Sequence, residues 1–395
     1  MRLLAMLMSN GAASIVGLLL TIVIGRQDGP SQLGVFGVTF AVILMTQLFA
    51  EEIGINRALS NPTDPAERQV AYSRALLVAL LVGGLVVAIG LVLLNPMVIV
   101  TGVALPGYVA FTFLRLLTMT DGQVTRGFIA DGLLVTTVLA TSLCCILLGT
   151  TALPVVIAWA TILPISALLL QQRLGLRTRP RWASQHHRTT GLSFGIQNLF
   201  GAGSVHTATF LLASLFGSVL IGAIRGAATL LGPVNLVTTS INTITIRQLA
   251  VASPTARTKV MAFWWALATS IAALGATCTW LIANRFGSAL LGATWDVVEP
   301  LLPWIALDAV LVACLVAAKA AHRVDNRGAA AWKVNVLSGV TRLVLLPIGG
   351  ALAGAVGVAI ASAVTTLVMA VAWWASYLGY RNKSAPHMTQ LARSA

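Results

Sequence analysis

Apolar residues run in blocks of membrane length along the chain, separated by short polar breaks. A helix needs about 20 predominantly apolar residues to cross a bilayer. Windows of that length predict twelve spans, near 6–25, 33–56, 72–94, 97–118, 131–149, 152–170, 193–216, 219–244, 260–283, 298–318, 334–353 and 355–379. The breaks carry turn and capping chemistry, among them "RQDGPSQ", "SNPTDPAERQ", "NP", "TDGQVTRG", "GTTALP", "ASPTARTK" and "AAHRVDNRG". The stretch "QQRLGLRTRPRWASQHHRTTG" reads as a basic linker, and "ANRFGSALLGATWDVVEP" as the largest external loop. The opening "MRLLAMLMSNGAASIVGLLLTIVIG" continues at full span length without a clear cleavage site, so it is read as a retained first helix. The fold class is all-α and polytopic.

The two halves resemble each other. Asn10 aligns with Asn198, and Leu33-Gly34 with Ile221-Gly222, both at an offset of 188 residues, and Arg57 meets Arg247 at an offset of 190. The expected division is therefore an N-terminal six-helix bundle over 1–170, a basic linker over 171–192, a C-terminal six-helix bundle over 193–380 and a tail over 381–395. An even number of spans per half makes such repeats parallel, related by an axis along the membrane normal.

Composition agrees with this reading. Hydrophobic residues make up 57% and charged residues 9% of the chain, where soluble domains carry roughly 25% charged residues. Mean hydropathy is +0.90. Of the 25 basic residues, only Arg26 and Arg285 fall on the outer side when both termini are placed inside, and Arg225 and Arg342 lie within spans. That is the positive-inside distribution of a multi-pass membrane protein with both termini cytoplasmic. The net charge of +14 thus follows topology and attraction to anionic lipid headgroups. Nucleic acid is not expected as a partner, because the basic residues are scattered over many short loops. The four cysteines, Cys144, Cys145, Cys278 and Cys314, lie in apolar runs, and no Cys or His spacing suggests a metal site. No cofactor is expected, and no phosphate-binding P-loop is present.

Candidate chemistry lies inside the spans. Span one carries Asn10, Ser14, Gly17 and Thr21 on one stripe, and span eight carries Arg225, Thr229, Gly232, Asn235, Thr239 and Asn242. Span seven offers Gln197, Gly201 and Ser204 on one face, with His206 and Thr207 beside it, and span two offers Thr39, Thr46 and Gln47, then Glu51 and Glu52. Small and hydroxyl residues alone are explained by close helix packing. Stripes that also hold Arg, Asn, Gln or Glu are better explained by a water-filled cavity. Arg225 has two readings: a snorkelling anchor, or a guanidinium fork for a diphosphate. The Gly232-Pro233 step is expected to break span eight. Arg57 and Arg247 form a symmetry-related pair at the inner mouth, read as positive-inside anchors or as headgroup captors. Asp308 in span ten and Arg342 in span eleven are read either as a buried ion pair fixing two spans or as a protonatable carboxylate that couples transport to a gradient.

Three stretches carry a family resemblance: "GPSQLGVFGVTFAVILMTQ", "FLRLLTMTDGQVTRGFIADG" and "IGAIRGAATLLGPVNLVTTSI". The chain resembles the multidrug/oligosaccharidyl-lipid/polysaccharide exporter superfamily, most of all its bacterial polysaccharide flippases. The resemblance implies about twelve helices in two six-helix bundles of the MATE type, with alternating access to a cavity lined by spans one, two, seven and eight. It also implies a polyprenyl-diphosphate-linked saccharide as substrate, membrane lipids as surroundings, and glycosyltransferases or a polymerase of the same pathway as partners. A drug or cation antiporter of the same superfamily and a non-transporting scaffold for synthesis enzymes are the competing readings. An enzyme is not expected: a glycosyltransferase or ligase would want acidic residues on a sizeable external loop.

Overall fold

The structure is a computed structural model that describes residues 2–50, 65–121, 123–174, 203–325 and 327–394, all of them in helices or short turns. The first half forms α1 (Arg2–Gln27), α2 (Gly29–Ala50), α3 (Pro65–Val92), α4 (Pro96–Thr120), α5 (Val124–Leu148) and α6 (Leu153–Leu174). The second begins with α7 (Gly203–Phe216), α8 (Ser218–Leu230), α9 (Gly232–Val251) and α10 (Pro254–Leu291). After a 3₁₀ turn come α11 (Trp295–Val298), α12 (Leu302–Cys314), α13 (Val316–Val324) and α14 (Gly328–Ser394). Each predicted span has a counterpart among these helices. The predicted linker and the stretch holding Glu51, Glu52 and Arg57 lie outside the described residues, as does Gln197.

Local chemistry explains the helix ends. The "NP" break works because Asn95 accepts from the N–H groups of Met97 and Val98 at 3.0 and 3.3 Å. Those are amides without intrahelical partners. Pro96, which has no N–H to waste, takes the first position of α4. The expected break in span eight is present: α8 stops at Leu230, and Pro233 sits in the first turn of α9. Spans eleven and twelve, run together as α14, are parted at Ala353-Gly354, where Gly354 adopts φ +57°, a conformation that suits glycine alone among ordinary residues.

The helices gather into two compact units. The first joins Met1–Leu230 with Arg285–Pro300, and the second joins Leu231–Asn284 with Leu301–Ala395. Their boundaries fall at the break in span eight and near the end of span nine, away from the basic linker. In the first unit Trp159, Phe36, Phe113, Leu114 and Leu163 are fully buried. Elsewhere large apolar side chains face outward, such as Val92 at 83% and Leu94 at 86% exposed. An exposed apolar surface of this extent is what a multi-pass membrane protein presents to lipid. With lipid outside, burial in the bundle brings no relief from water, so close packing and polar contacts must hold the helices together.

Two expectations need correction. The predicted large external loop is not a loop: α10 runs on to Leu291, and Thr294, Trp295 and Val298 are buried. Thr294 donates to the carbonyl of Gly25 at 2.6 Å, and Arg26 donates to the carbonyl of Ala289. Short polar punctuation in the sequence hid a folded cap. Span five also starts earlier than its apolar window, so Asp131 lies well inside α5 and 3% exposed. Arg115 of α4 closes on it, with Nε 2.9 Å from the carboxylate. The apolar window began only at Asp131 itself, because hydropathy scores the charge and not the partner.

Two further pairs tie each unit near its basic end. Arg68 at the start of α3 forks onto Asp121 at 2.8 and 2.9 Å. Arg257 at the start of α10 meets Asp325 at 2.8 Å. Both join the first turn of a helix to the turn after the next span, in corresponding places of the two halves. The buried pair and the exposed ones should respond differently to mutation. Asp131→Asn leaves Arg115 uncompensated and should cost about 3–5 kcal/mol, whereas Arg68→Gln should cost less than about 1 kcal/mol. Denaturant unfolding of the purified protein in detergent measures both.

Candidate functional site

The contact that organises the first unit is the crossing of α2 and α8. A methyl on Gly34 would be driven into the carbonyl of Ser218, and one on Gly222 into the carbonyl of Pro30. Gly34 and Gly222 correspond in the sequence repeat, and Pro30 and Ser218 stand at the same offset of 188 residues. The contact is therefore reciprocal: each half offers a glycine to the other half's backbone. The Ser31 and Ser218 hydroxyls lie 3.1 Å apart across it. One side over, the hydroxyls of Thr21 on α1 and Thr229 on α8 lie 3.3 Å apart. Small residues let the backbones approach, and hydroxyls join them without introducing charge.

Arg225 lies two turns into α8. Its guanidinium carbon is 4.7 Å from the centre of the Phe36 ring and 4.5 Å from that of Phe40. The two rings share one face of α2 and belong to an aromatic cluster with Tyr108 of α4 and Trp159 of α6. An arginine within hydrocarbon costs about 2.5–3.5 kcal/mol on insertion scales, and a desolvated cation on an aromatic face recovers about 1–2 kcal/mol per ring. Two rings therefore come close to balancing the cost without a carboxylate. Nε of Arg225 is buried with no hydrogen-bond partner among the described residues, so part of the fork is unspent.

The counterpart of Arg225 in the repeat is Gly37. A Cβ there would come within 3.2 Å of Cδ of Arg225 and 3.0 Å of Ile221. The first half thus leaves empty the space that the second half fills with its cation. Around the same end of the unit, Asp28 accepts from the N–H of Ala152 at 3.1 Å, joining the α1–α2 turn to the start of α6. Burial pushes the Asp28 carboxyl above its ordinary range, and this N–H opposes the shift.

The second unit holds the other intramembrane charges. Asp308 of α12 accepts from Thr366 of α14 at 2.5 Å and from Ser362. Arg342, on the first arm of α14, is the cation whose field reaches it. Its hydrogen bonds come from the last span, so the pairing of spans ten and eleven expected from sequence is an electrostatic component of a three-helix polar contact. On α9, Asn235 and Arg247 are exposed, and Oδ1 of Asn242 is buried without a hydrogen-bond partner among the described residues.

No protein-family model matches the sequence, and no curated protein matches it. Solved structures do match. Lipid II flippase MurJ in an inward closed conformation aligns at a TM-score of 0.73 with 10% identity, covering 95% of this chain and 86% of that one. An inward-facing multidrug resistance MATE family transporter of the MOP superfamily aligns at 0.67 with 13% identity, covering 93% and 94%. A MOP superfamily transporter from Pyrococcus furiosus, whose binding pocket is described as of reversed polarity, aligns at 0.58 with 13% identity, covering 97% and 95%. The chain shares the fold of these solved transporters.

Within this fold, the predicted site residues separate into groups. Thr21, Arg225 and Thr229 come together with Phe36, Gly37 and Phe40 in the first unit, which also holds half-buried Ser14 and His206. Asn235, Asn242, Arg247, Asp308 and Arg342 belong to the second unit. Asn10 lies in α1, and Arg57 and Gln197 fall outside the described residues. Phe36, Phe40 and Gly37 escaped sequence reasoning because they read as plain span residues. Their signal was the four-residue spacing of two aromatics facing the position that aligns with Arg225. The reciprocal crossing makes a selective prediction. Gly34→Val and Gly222→Val should each cost about 3 kcal/mol, since backbone cannot move aside as a side chain can. Gly17→Val, at a helical site with nothing within 4 Å, should change stability by less than about 0.5 kcal/mol. Unfolding midpoints of the three variants compare these costs.

Proposed function

We propose that the chain is a flippase that carries a polyprenyl-diphosphate-linked saccharide across the cytoplasmic membrane by alternating access, for cell-surface polysaccharide synthesis. The observation that carries this reading is the sign of the embedded charge. Arg225 and Arg342 stand within the spans against Asp308, and Arg225 is held by aromatic faces that consume none of its hydrogen bonds. A guanidinium kept in this way retains donors for phosphate oxygens. The likeness to a lipid II flippase in fold supports the same class. In this reading two six-helix bundles, 1–170 and 193–380, flank the path, with the linker 171–192 and the tail 381–395 on the cytoplasmic side. Ser14, Thr229, Asn10, Gln197, His206, Asn235 and Asn242 serve the saccharide, Arg57 and Arg247 draw the anionic headgroup inward, and the polyprenyl tail stays in lipid. Enzymes of the same pathway supply and remove the lipid-linked sugar. One observation favours a drug or cation antiporter instead, namely the shared fold with multidrug MATE transporters; that chemistry would want more buried carboxylate than Asp308 and the Arg115-paired Asp131 supply.

The headgroup role is tested by Arg225→Ala and Arg225→Lys, scored by accumulation of the lipid-linked saccharide in the inner leaflet of depleted cells. The alanine variant should lose at least about tenfold in flipping, the loss of one charge-assisted contact. The lysine variant should keep part of the activity, with the charge but not the fork. Wild-type flipping by both variants would leave Arg225 an anchor. For Asp308, coupling by protonation predicts that Asp308→Asn uncouples flipping from a proton gradient. Full recovery in a variant combining Asp308→Arg with Arg342→Asp would show a structural pair instead.

A further inference from the structure

The cap at Arg285–Pro300 packs with the first unit, whereas the chain on either side of it, up to Asn284 and from Leu301, belongs to the second. Within itself the cap is tightly made. The buried ring of Trp295 lies on Gly287 so closely that a methyl there would overlap it. Between them Gly292, at φ +56°, turns the chain back on itself. The hold on the neighbouring helices is of a different kind. An added Cβ at Gly25 of α1 would stand 3.4 Å from the Thr294 hydroxyl and 3.6 Å from Leu291. One at Gly226 of α8 would stand 2.7 Å from a methyl of Val298. Both receiving positions are glycines, so at these two points the cap rests on backbone, with no side chain to interlock. Two polar contacts fasten it: Thr294 donates to the carbonyl of Gly25 at 2.6 Å, and Arg26 donates to that of Ala289.

A segment packed within itself and seated on smooth backbone leaves its seat more readily than it comes apart. Both of its ends continue into the second unit, so movement of that unit pulls on the cap from two sides. What lies beneath is the candidate site. Gly226 directly follows Arg225, and Leu33 of α2, which also approaches Gly226 at 3.8 Å, stands one turn before Phe36. The cap therefore sits about one helical turn from the Arg225–Phe36–Phe40 contact, on the side where α1 ends and α2 begins. We propose that Arg285–Pro300 is a lid that lifts from Gly25 and Gly226 as one body and opens the Arg225 site on that side. Lids of this kind admit or release a ligand while the catching groups stay in place. Its gating role rests on the reading of Arg225 as the partner of the headgroup; the lifting does not.

Lifting is tested on the purified full-length chain in a neutral maltoside detergent, by the rate at which a water-soluble maleimide labels a cysteine placed under the cap. Val298→Cys reports the seat, and Ala152→Cys reports an equally buried position at the same end of the unit but outside the cap, both residues being 0% exposed. Wild-type chain treated in parallel corrects for Cys144 and Cys278, which are exposed. Val298→Cys should label at least about tenfold faster than Ala152→Cys, and Thr294→Cys, a near-isosteric change in the same seat, should label as Val298→Cys does. Adding Thr294→Val to Val298→Cys should speed labelling about fivefold, as loss of one hydrogen bond does. Gating is tested by Gly25→Cys combined with Thr294→Cys, whose spacing suits a disulfide. Oxidation should slow flipping at least about tenfold, reduction should restore it, and wild type should respond to neither. The proposal is overturned if the two seat cysteines label no faster than Ala152→Cys, or if the oxidised pair flips as fast as the reduced one. Fast seat labelling in a chain that carries no saccharide lipid would refute the flippase reading and leave the lifting cap standing. Equal labelling in a chain that flips and loses flipping with Arg225→Ala would refute the lid alone.

Discussion

The contact between two glycines and two backbone carbonyls is the constraint from which the first unit is built. Gly34 lies on the carbonyl of Ser218 and Gly222 on that of Pro30, so α2 and α8 approach as closely as two helices can. In lipid there is little gain from hiding one leucine behind another, and a near-backbone crossing gains dispersion and dipole contacts that bulky interfaces forgo. The rest follows from that proximity. It brings Ser31 to Ser218 and Thr21 to Thr229, sets Arg225 onto Phe36 and Phe40, and leaves room at Gly226 for the side chain of Val298. The cap formed by residues 285–300 closes over helices already drawn together.

Much of this architecture was legible in the chain. Span positions follow from hydropathy because a helix is the one open-ended structure that satisfies its own backbone in hydrocarbon. The breaks at Asn95-Pro96 and Gly232-Pro233 follow from the chemistry of those residues alone. The repeat was visible as Leu33-Gly34 against Ile221-Gly222, and the structure turns that alignment into a physical contact. What could not be read was anything decided by a partner far along the chain. Asp131 looks like the edge of a polar break until Arg115 is placed beside it, and residues 285–300 look like a loop until α1 offers the carbonyl of Gly25 to Thr294.

The candidate site was legible in part for the same reason. Arginine in an apolar window announces itself, and so does a stripe of Thr and Asn at helical spacing. The aromatic support for Arg225 does not, since phenylalanine is ordinary in a span.

The pairing of Arg225 with Gly37 has a consequence for how a duplicated chain acquires function. Two copies of one helix that meet near a twofold axis present every side chain to its own image. A neutral methyl or hydroxyl tolerates that encounter, whereas a guanidinium would collide with a second guanidinium in volume and in charge. Functional asymmetry is thus compulsory at the centre of a symmetric scaffold: one copy keeps the cation, and its twin is reduced to hydrogen.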